Sequence, residues 1–210
     1  VLHYLGYSGQ IYTEDTDRMI EKCMEQAIEV CSPKMIYRII NLRDGKCDEI
    51  ELEGEDIKWH LAGCSRIVLM AATAGRGISD LARRKAALDM AQAAALNSCG
   101  SAAVERICDN FEADLRAQLE AEGLYLTDRF SPGYGDLPLK TQKELCALLD
   151  TERKIGVNLT DSFLMIPEKS VTAIMGISES PVARRERECS KCNMYETCCF
   201  RSTGEHCGQK

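Results

Sequence analysis

The feature that most constrains the fold of this chain is an uninterrupted apolar run, Ile67-Val68-Leu69-Met70-Ala71-Ala72. Gly63 precedes it and Gly75-Arg76-Gly77 follows it, so turn signals bound the run on both sides. A short apolar run between turns is typical of a strand that is buried on both faces. The sequence therefore predicts a buried β-strand from Ser65 to Thr73.

Four segments are predicted to be helices because their apolar residues recur at helical spacing. They run from Thr16 to Cys31, from the capping pair Ser79-Asp80 to about Leu96, from about Ala102 to Ala121, and from Thr141 through Leu149. Asn97 to Ser101 is expected to separate the two long helices.

Further strands are predicted on both sides of the central run. They are Lys34 to Leu42, the residues Ile50 and Leu52 after an Asp44-Gly45 turn, and an apolar hairpin in which Pro167-Glu168-Lys169 joins Ser162–Ile166 to Ser170–Ile177. Helices and strands do not alternate as in βαβ units. The predicted fold class is therefore α+β: a mixed or antiparallel twisted sheet packed with long helices, plus a cysteine-rich C-terminal tail.

The charge and hydropathy of the chain exclude two classes of partner. A formal charge of -7, from 26 basic and 33 acidic residues, argues against a protein that binds nucleic acid. No apolar run approaches the roughly 18 to 20 residues that span a bilayer, so no membrane partner is predicted. The start, Val1 to Tyr4, lacks the basic flank and apolar core of a signal peptide, and we expect a cytoplasmic protein.

The twelve cysteines are unevenly distributed. Seven lie in apolar-patterned segments, where a reduced cysteine is usually a small hydrophobe: Cys23, Cys31, Cys47, Cys64, Cys99, Cys108 and Cys146. Five crowd into the tail: Cys189, Cys192, Cys198, Cys199 and Cys207. We therefore divide the chain into a domain over residues 1–180 and a tail over residues 181–210. A C-x-x-C pair with further thiolates suits zinc or an iron–sulfur cluster, and a reduced tail without metal is the alternative.

The segment Arg129-Phe130-Ser131-Pro132-Gly133-Tyr134 combines a cation, a constrained turn and an aromatic ring within six positions. Arg offers a fork of donors to a carboxylate, Gly lets a ligand approach the backbone, and Tyr presents a flat face with a polar tip. A small zwitterionic ligand suits these residues. A plain surface turn is the alternative, because Pro and Gly commonly form turns.

Two patterns occur in this order: Arg-x-x-x-Gly-Tyr at 129–134 and Ser-Phe-x-Met-x-Pro-x-x-Ser-Val at 162–171. Together they resemble the S-adenosylmethionine-binding activation domain of cobalamin-dependent methionine synthase. The opening Tyr4 to Gly9 and the run Gly100 to Glu105 look like those of short stand-alone relatives. The resemblance covers roughly residues 1–180.

The resemblance implies a site for S-adenosylmethionine. In that site Arg129 pairs with the methionyl carboxylate, the backbone around Ser131 and Gly133 holds the nucleoside, and Tyr134 lies toward the corrin. Glu105 stands where the family places a carboxylate that meets the ligand's amino group, which is sound chemistry for a zwitterion. The alternative for Glu105 is an exposed helix residue paired with Arg106 or Lys85. No catalytic residue is assigned.

The family's function is to rescue an oxidised corrinoid. Cob(II)alamin takes one electron from a flavodoxin- or ferredoxin-like donor and a methyl group from S-adenosylmethionine. The cobalamin would belong to the partner, a cobalamin-dependent methionine synthase lacking its own activation domain or another corrinoid protein, with which this chain would act as a methyltransferase component.

Departures from the family pattern keep a second function open. Lys140 stands where the family commonly has a His, and Ile174-Met175 stand where it has an aromatic pair. An N-terminal acidic ligand contact of the full-length enzyme has no counterpart that we identify. The alternative is an accessory or electron-transfer protein, bearing a metal or iron–sulfur cluster in its tail, that serves a corrinoid protein and retains only a vestigial S-adenosylmethionine pocket.

If the tail binds a metal, anaerobically purified protein will carry close to one zinc or one iron–sulfur centre, held by Cys189, Cys192, Cys198 and either Cys199 or Cys207. Elemental analysis and the absorption spectrum distinguish the two. Protein without metal, in which all five tail thiols alkylate freely, would contradict the prediction.

Overall fold

The apolar run forms the predicted strand at the interior of a four-stranded antiparallel sheet. The computed structural model describes residues 1–6, 13–43 and 45–182. Its strands are β1 (Lys34–Asn41), β2 (Cys64–Thr73), β3 (Tyr125–Leu126), β4 (Asn158–Leu159), β5 (Met165–Ile166) and β6 (Ser170–Ser178). The order in the large sheet is β1-β2-β6-β3, and β4 pairs with β5 in a separate two-stranded sheet. The α+β prediction is confirmed, and the sheet is antiparallel.

Six helices surround the sheet in the described part of the chain, after a short 3₁₀ helix at Leu2–Leu5. They are α1 (Glu14–Val30), α2 (Glu55–His60), α3 (Gly77–Ala86), α4 (Met90–Ala121), α5 (Thr141–Leu149) and α6 (Thr151–Ile155). None of these helices is long and apolar enough to cross a membrane.

Alternation of side chains along β2 and β6 creates two apolar layers. Val68, Met70 and Met175 face one side and pack with residues of α4 such as Phe111 and Leu115. The opposite face carries, among others, Ile67, Leu69 and Ile174, and it packs with α2, α5 and α6. The N-terminal half of α4 packs in a third cluster with α1 and α3. The sheet thus lies between helices, as a strand that is apolar on both faces requires.

The predicted break between the two long helices is wrong. The chain leaves the helix at Ala87 to Asp89, and α4 then continues without interruption through Asn97 to Ser101. Asp89 begins α4 because its side chain accepts a hydrogen bond from the Gln92 N–H at 3.0 Å. The small residues Ser98 to Gly100 are buried, and a side chain at Gly100 would press on Lys169. They serve close packing and do not end the helix.

Two strand predictions are also wrong. Ile50 and Leu52 form no strand; Ile50 is buried in the core, and the Glu51 N–H donates to a carboxylate of Glu144 on α5 at 3.1 Å. The predicted hairpin fails because both edges of β6 are already used, one by β2 and the other by β3 and Phe130. The segment before it, β5, therefore pairs with β4. The predicted turn at Asp44-Gly45 begins at a residue outside the described part of the chain.

Candidate functional site

The position of Arg129 is fixed by its neighbour in the chain. Phe130 exchanges two backbone hydrogen bonds with Ile174 of β6, at 2.9 and 2.8 Å, and its buried ring lies 5.1 Å from that of His60. His60 in turn hydrogen-bonds the Asp128 carbonyl and the Thr127 hydroxyl, both at 2.9 Å. The backbone on both sides of Arg129 is therefore tied to the sheet and to α2, and its side chain contacts α4.

Three carboxylates on one face of α4 meet the Arg129 guanidinium. Glu105, Asp109 and Glu112 follow one another at intervals of four and three residues, the spacing that brings side chains to the same helix face. Nη2 of Arg129 donates to Glu105 at 3.2 Å and to Asp109 at 2.8 Å, and Nε lies 3.4 Å from Glu112. We call these four residues the Arg129 cluster.

The guanidinium of Arg129 is largely withdrawn from solvent, with 18% of the side chain exposed. Its Nη1 is buried and makes no hydrogen bond within the described residues. Burial opposes the charge of Arg129, but Cys108, Glu105, Glu112 and Asp109 together raise its pKa, so the guanidinium stays charged. A buried donor without a hydrogen-bond partner carries a desolvation penalty.

A second guanidinium extends the cluster. Arg116 donates to Glu112 at 2.8 Å and lies 3.6 Å from Asp128, and it also reaches the Thr127 carbonyl at 3.5 Å. Glu112 therefore stands between two arginines. Among the described residues, the extended group contains four carboxylates and two guanidiniums.

The loop after Phe130 is held by its own hydrogen bonds. Tyr134 N–H donates to the Ser131 carbonyl at 3.0 Å, and Gly133 N–H donates to the Leu137 carbonyl at 2.9 Å. Gly133 has φ of 89°, a conformation that favours glycine. Asp136 caps the start of α2 by accepting from the N–H groups of Glu55 and Asp56, at 2.6 and 3.1 Å. The loop is therefore shaped before any ligand arrives.

Tyr134 and Tyr4 present aromatic rings beside the Arg129 cluster. Tyr134 is 70% exposed, and Tyr4, on the 3₁₀ helix, is about half exposed. Burial raises the pKa of Tyr4, and the nearby Glu105 and Asp109 raise it further. The structure thus brings together Glu105, Arg129, Ser131, Gly133 and Tyr134, all singled out from the sequence, as neighbours around one surface.

Sequence reasoning missed Asp109, Glu112 and Tyr4. The two acidic residues share the helical face of Glu105, and that spacing was a signal that could have found them. Tyr4 carries no such signal, because only the packing of the 3₁₀ helix beside α4 brings it to the site. The pairing of Glu105 with Arg129 replaces the partners Arg106 and Lys85 considered above.

The residues that depart from the family pattern lie elsewhere. Lys140 is exposed and pairs with Glu53 at 2.8 Å. Ile174 and Met175 are fully buried and belong to the two apolar layers. The five tail cysteines lie outside the described residues, and within the described ranges no group of three or more His, Cys, Asp or Glu side chains can hold a metal ion.

One cavity bounded by described residues does not include the Arg129 cluster. Its volume is about 1240 Å³, and it lies between the 45–52 segment, α2 and the first residues of β2. The side chains of the Arg129 cluster are partly buried, with exposed fractions from 18% at Arg129 to 41% at Glu105 among the described residues.

Comparisons with known proteins point to one family. A family model described as the activation domain of vitamin B12 dependent methionine synthase matches residues 67–184. The fold is similar to that in a structure titled "Crystal Structure of the MetH Reactivation Domain bound to AdoHcy", with a TM-score of 0.65 and 18% sequence identity, over 97% of this chain and 80% of that one. No curated protein sequence matches the chain.

The thiol beneath Arg129 gives a test of the site's packing. Burial raises the pKa of Cys108 from its ordinary 9.0 to about 11, so the folded protein keeps this thiol protonated. At pH 8 iodoacetamide should label Cys108 far more slowly than the half-buried Cys47, as mass spectrometry of the labelled peptides can measure.

The same shift predicts a direction for stability. Because folding raises the pKa of Cys108, its contribution is complete below pH 9.0 and declines as the pH rises toward about 11. The free energy of unfolding should fall over that interval in wild type, and less in Cys108→Ala. Labelling of Cys108 as fast as that of Cys47 would contradict the burial on which both expectations rest.

Proposed function

Because the chain belongs to the family of vitamin B12-dependent methionine synthase activation domains, we propose that it binds S-adenosylmethionine and supports the reductive methylation of a separate corrinoid protein. The partner is a cobalamin-dependent methionine synthase without its own activation domain, or a related corrinoid methyltransferase. The observation that carries the proposal is the Arg129 cluster, which offers a zwitterionic ligand partners of both charges.

The pairing in the free protein supports a ligand with two charges on one carbon. Nη2 of Arg129 is shared by Glu105 and Asp109. A methionyl head can exchange with this pairing, because its carboxylate takes the guanidinium while its ammonium takes the released carboxylate. A ligand with a carboxylate alone would leave Glu105 unpaired beside other negative charges, which is unfavourable in a half-buried site.

The exposed ring of Tyr134 supports the position of the partner. Methyl transfer requires the sulfonium carbon to approach its acceptor to about 3 to 3.5 Å. Because Tyr134 is 70% exposed, a second protein can bring the corrin to this distance over its ring and exclude water. In this chain Arg129 and Glu105 orient the methionyl head, and the hydrogen-bonded loop from Ser131 to Leu137 holds the nucleoside.

The partner's corrinoid supplies the nucleophile. Reduced by one electron from a flavodoxin- or ferredoxin-like donor, that corrinoid would accept the methyl group from S-adenosylmethionine bound to this chain, and the carbon–sulfur electron pair would remain on the sulfur of the product. This chain contributes position and charge only. A metal in the tail remains a separate proposal, tested by the metal analysis above.

Binding is tested by calorimetry with S-adenosylmethionine. Arg129→Ala should weaken binding by about 1.5 to 3 kcal/mol, because charged hydrogen bonds to the carboxylate are lost. Arg153→Ala is the matched control, since Arg153 is exposed on α6 and pairs only locally with Asp150 among the described residues. Arg129→Lys keeps the positive charge that pairs with the α4 carboxylates but loses the fork of donors. It should therefore fold and bind S-adenosylmethionine with an affinity between those of wild type and Arg129→Ala. Wild type that binds nothing, alone or mixed with a corrinoid protein, would refute the proposal.

Reactivation is tested in a mixture of this protein, an oxidised corrinoid partner, a reductant and S-adenosylmethionine. The methylcobalamin spectrum should appear faster with wild type than with Arg129→Ala or Tyr134→Ala, because both variants disturb the approach of the methyl group to cobalt. Equal rates with and without this protein would show that it plays no part in the reaction.

A further inference from the structure

We propose that Arg116 is a positioning residue for ligand binding: it holds a β-bulge that turns the Arg129 guanidinium toward α4, and it does so without contacting the ligand. The inference rests on the proposed function, in which Arg129 binds the methionyl carboxylate of S-adenosylmethionine. It identifies the register of one short backbone segment, and the side chain that maintains it, as requirements for binding.

The backbone between β3 and Phe130 contains one residue more than the segment of β6 opposite it. Leu126 pairs with Ile177 and Phe130 pairs with Ile174, so three intervening residues on one side lie opposite two on the other. An extra residue in one strand of an antiparallel pair is a β-bulge, which bends the strand and changes the direction of its side chains. Arg129 is one of the three residues in this bulged segment.

The bulge decides on which face of the sheet Arg129 lies. Leu126 belongs to the apolar layer that packs with α4, whereas Phe130 belongs to the opposite layer. In a regular strand Leu126 and Phe130 would share the α4 face, because side chains alternate, and Arg129 would lie on the other face. That face packs with α2, α5 and α6, away from the carboxylates of α4. The extra residue therefore brings the guanidinium to the candidate site.

The bulge also removes the Thr127 carbonyl from the regular hydrogen-bond ladder. Thr127 N–H donates to the Gly176 carbonyl at 2.9 Å, as a regular antiparallel pair requires. The return bond differs, because Gly176 N–H donates to the Thr127 hydroxyl at 2.7 Å in place of the carbonyl. The Thr127 carbonyl instead accepts from Nη2 of Arg116 at 3.5 Å. Arg116 thus supplies a donor to a backbone group that the bulge has displaced.

Arg116 connects the bulged backbone to the side chains of the site. Its Nη1 donates to the Leu126 carbonyl, and its Nη2 donates to Glu112 at 2.8 Å and lies 3.6 Å from Asp128. The second carboxylate oxygen of Glu112 lies 3.4 Å from Nε of Arg129. The Arg116 side chain is 19% exposed, so water competes little for these contacts. One guanidinium therefore holds both the backbone that leads to Arg129 and a carboxylate that Arg129 meets.

A guanidinium is needed for this arrangement because its donors point in fixed and different directions. Arg116→Gln loses the charge and most of the donors. Arg116→Lys keeps a charge beside Glu112, but its single ammonium cannot reproduce the fork that also reaches the Leu126 carbonyl. We therefore expect ligand affinity to decrease from wild type through Arg116→Lys to Arg116→Gln.

The experiment is calorimetric titration with S-adenosylmethionine of wild type, Arg116→Gln, Arg129→Ala and the double variant. Arg116→Gln should weaken binding by about tenfold in the wild-type background, an effect within the range of coupling inside one hydrogen-bond network. In the Arg129→Ala background it should have little further effect, because no guanidinium remains to be positioned. Arg106→Gln removes the same charge from an exposed position of α4 and should leave the affinity unchanged.

The comparison of the two backgrounds separates positioning from a general loss of structure. Equal losses of affinity in the wild-type and Arg129→Ala backgrounds, or unchanged binding by folded Arg116→Gln, would overturn the inference while leaving the proposed function intact. Should thermal unfolding show that Arg116→Gln does not fold, Arg116→Lys is compared in the same two backgrounds and judged by the same criteria. Failure of wild type to bind S-adenosylmethionine would overturn the proposed function, and the inference with it.

Discussion

The burial of β2 and β6 on both faces is the constraint on which the rest of the structure depends. Side chains of the central strands such as Leu69, Met70 and Ile174 are fully withdrawn from water, and burying a side chain of this size contributes about 1.5 to 3 kcal/mol. One face can be covered only by the long helix α4, and the other by the shorter helices α2, α5 and α6. The positions of these helices follow from the sheet, and the candidate site lies where α4 passes the edge of that sheet.

The link between the core and the site is the pairing of Phe130 with Ile174. Beyond the end of β3, this pairing adds one further bridge along the same edge of β6. It thereby fixes the direction in which the neighbouring Arg129 points. The guanidinium is thereby held against a helix face that carries three carboxylates. Because the loop that follows is hydrogen-bonded internally and anchored to α2 by Asp136, little conformational freedom remains to be lost when a ligand binds.

The paired charges of the Arg129 cluster explain how its partly buried polar groups are accommodated without a ligand. Each carboxylate has a guanidinium within reach, and this limits the cost of their partial burial. In the proposed function, a zwitterionic ligand would exchange with these internal pairs, its carboxylate meeting Arg129 and its ammonium meeting a released carboxylate. The exposed ring of Tyr134 is consistent with the proposal that a ligand bound here is presented to a second, corrin-bearing protein.

The sequence by itself determined the buried strand, the helical segments, the α+β class and the family, together with Glu105, Arg129 and Tyr134 as residues of interest. These depend on local spacing and on short motifs, which are readable along the chain. Only the tertiary structure decided that β6 lies inside the sheet, that α4 continues through Gly100, and that Arg129 meets Asp109 and Glu112. Those outcomes depend on which strand edges remain free and on which helix face packs beside residues far away in the chain, and neither is encoded in any local pattern.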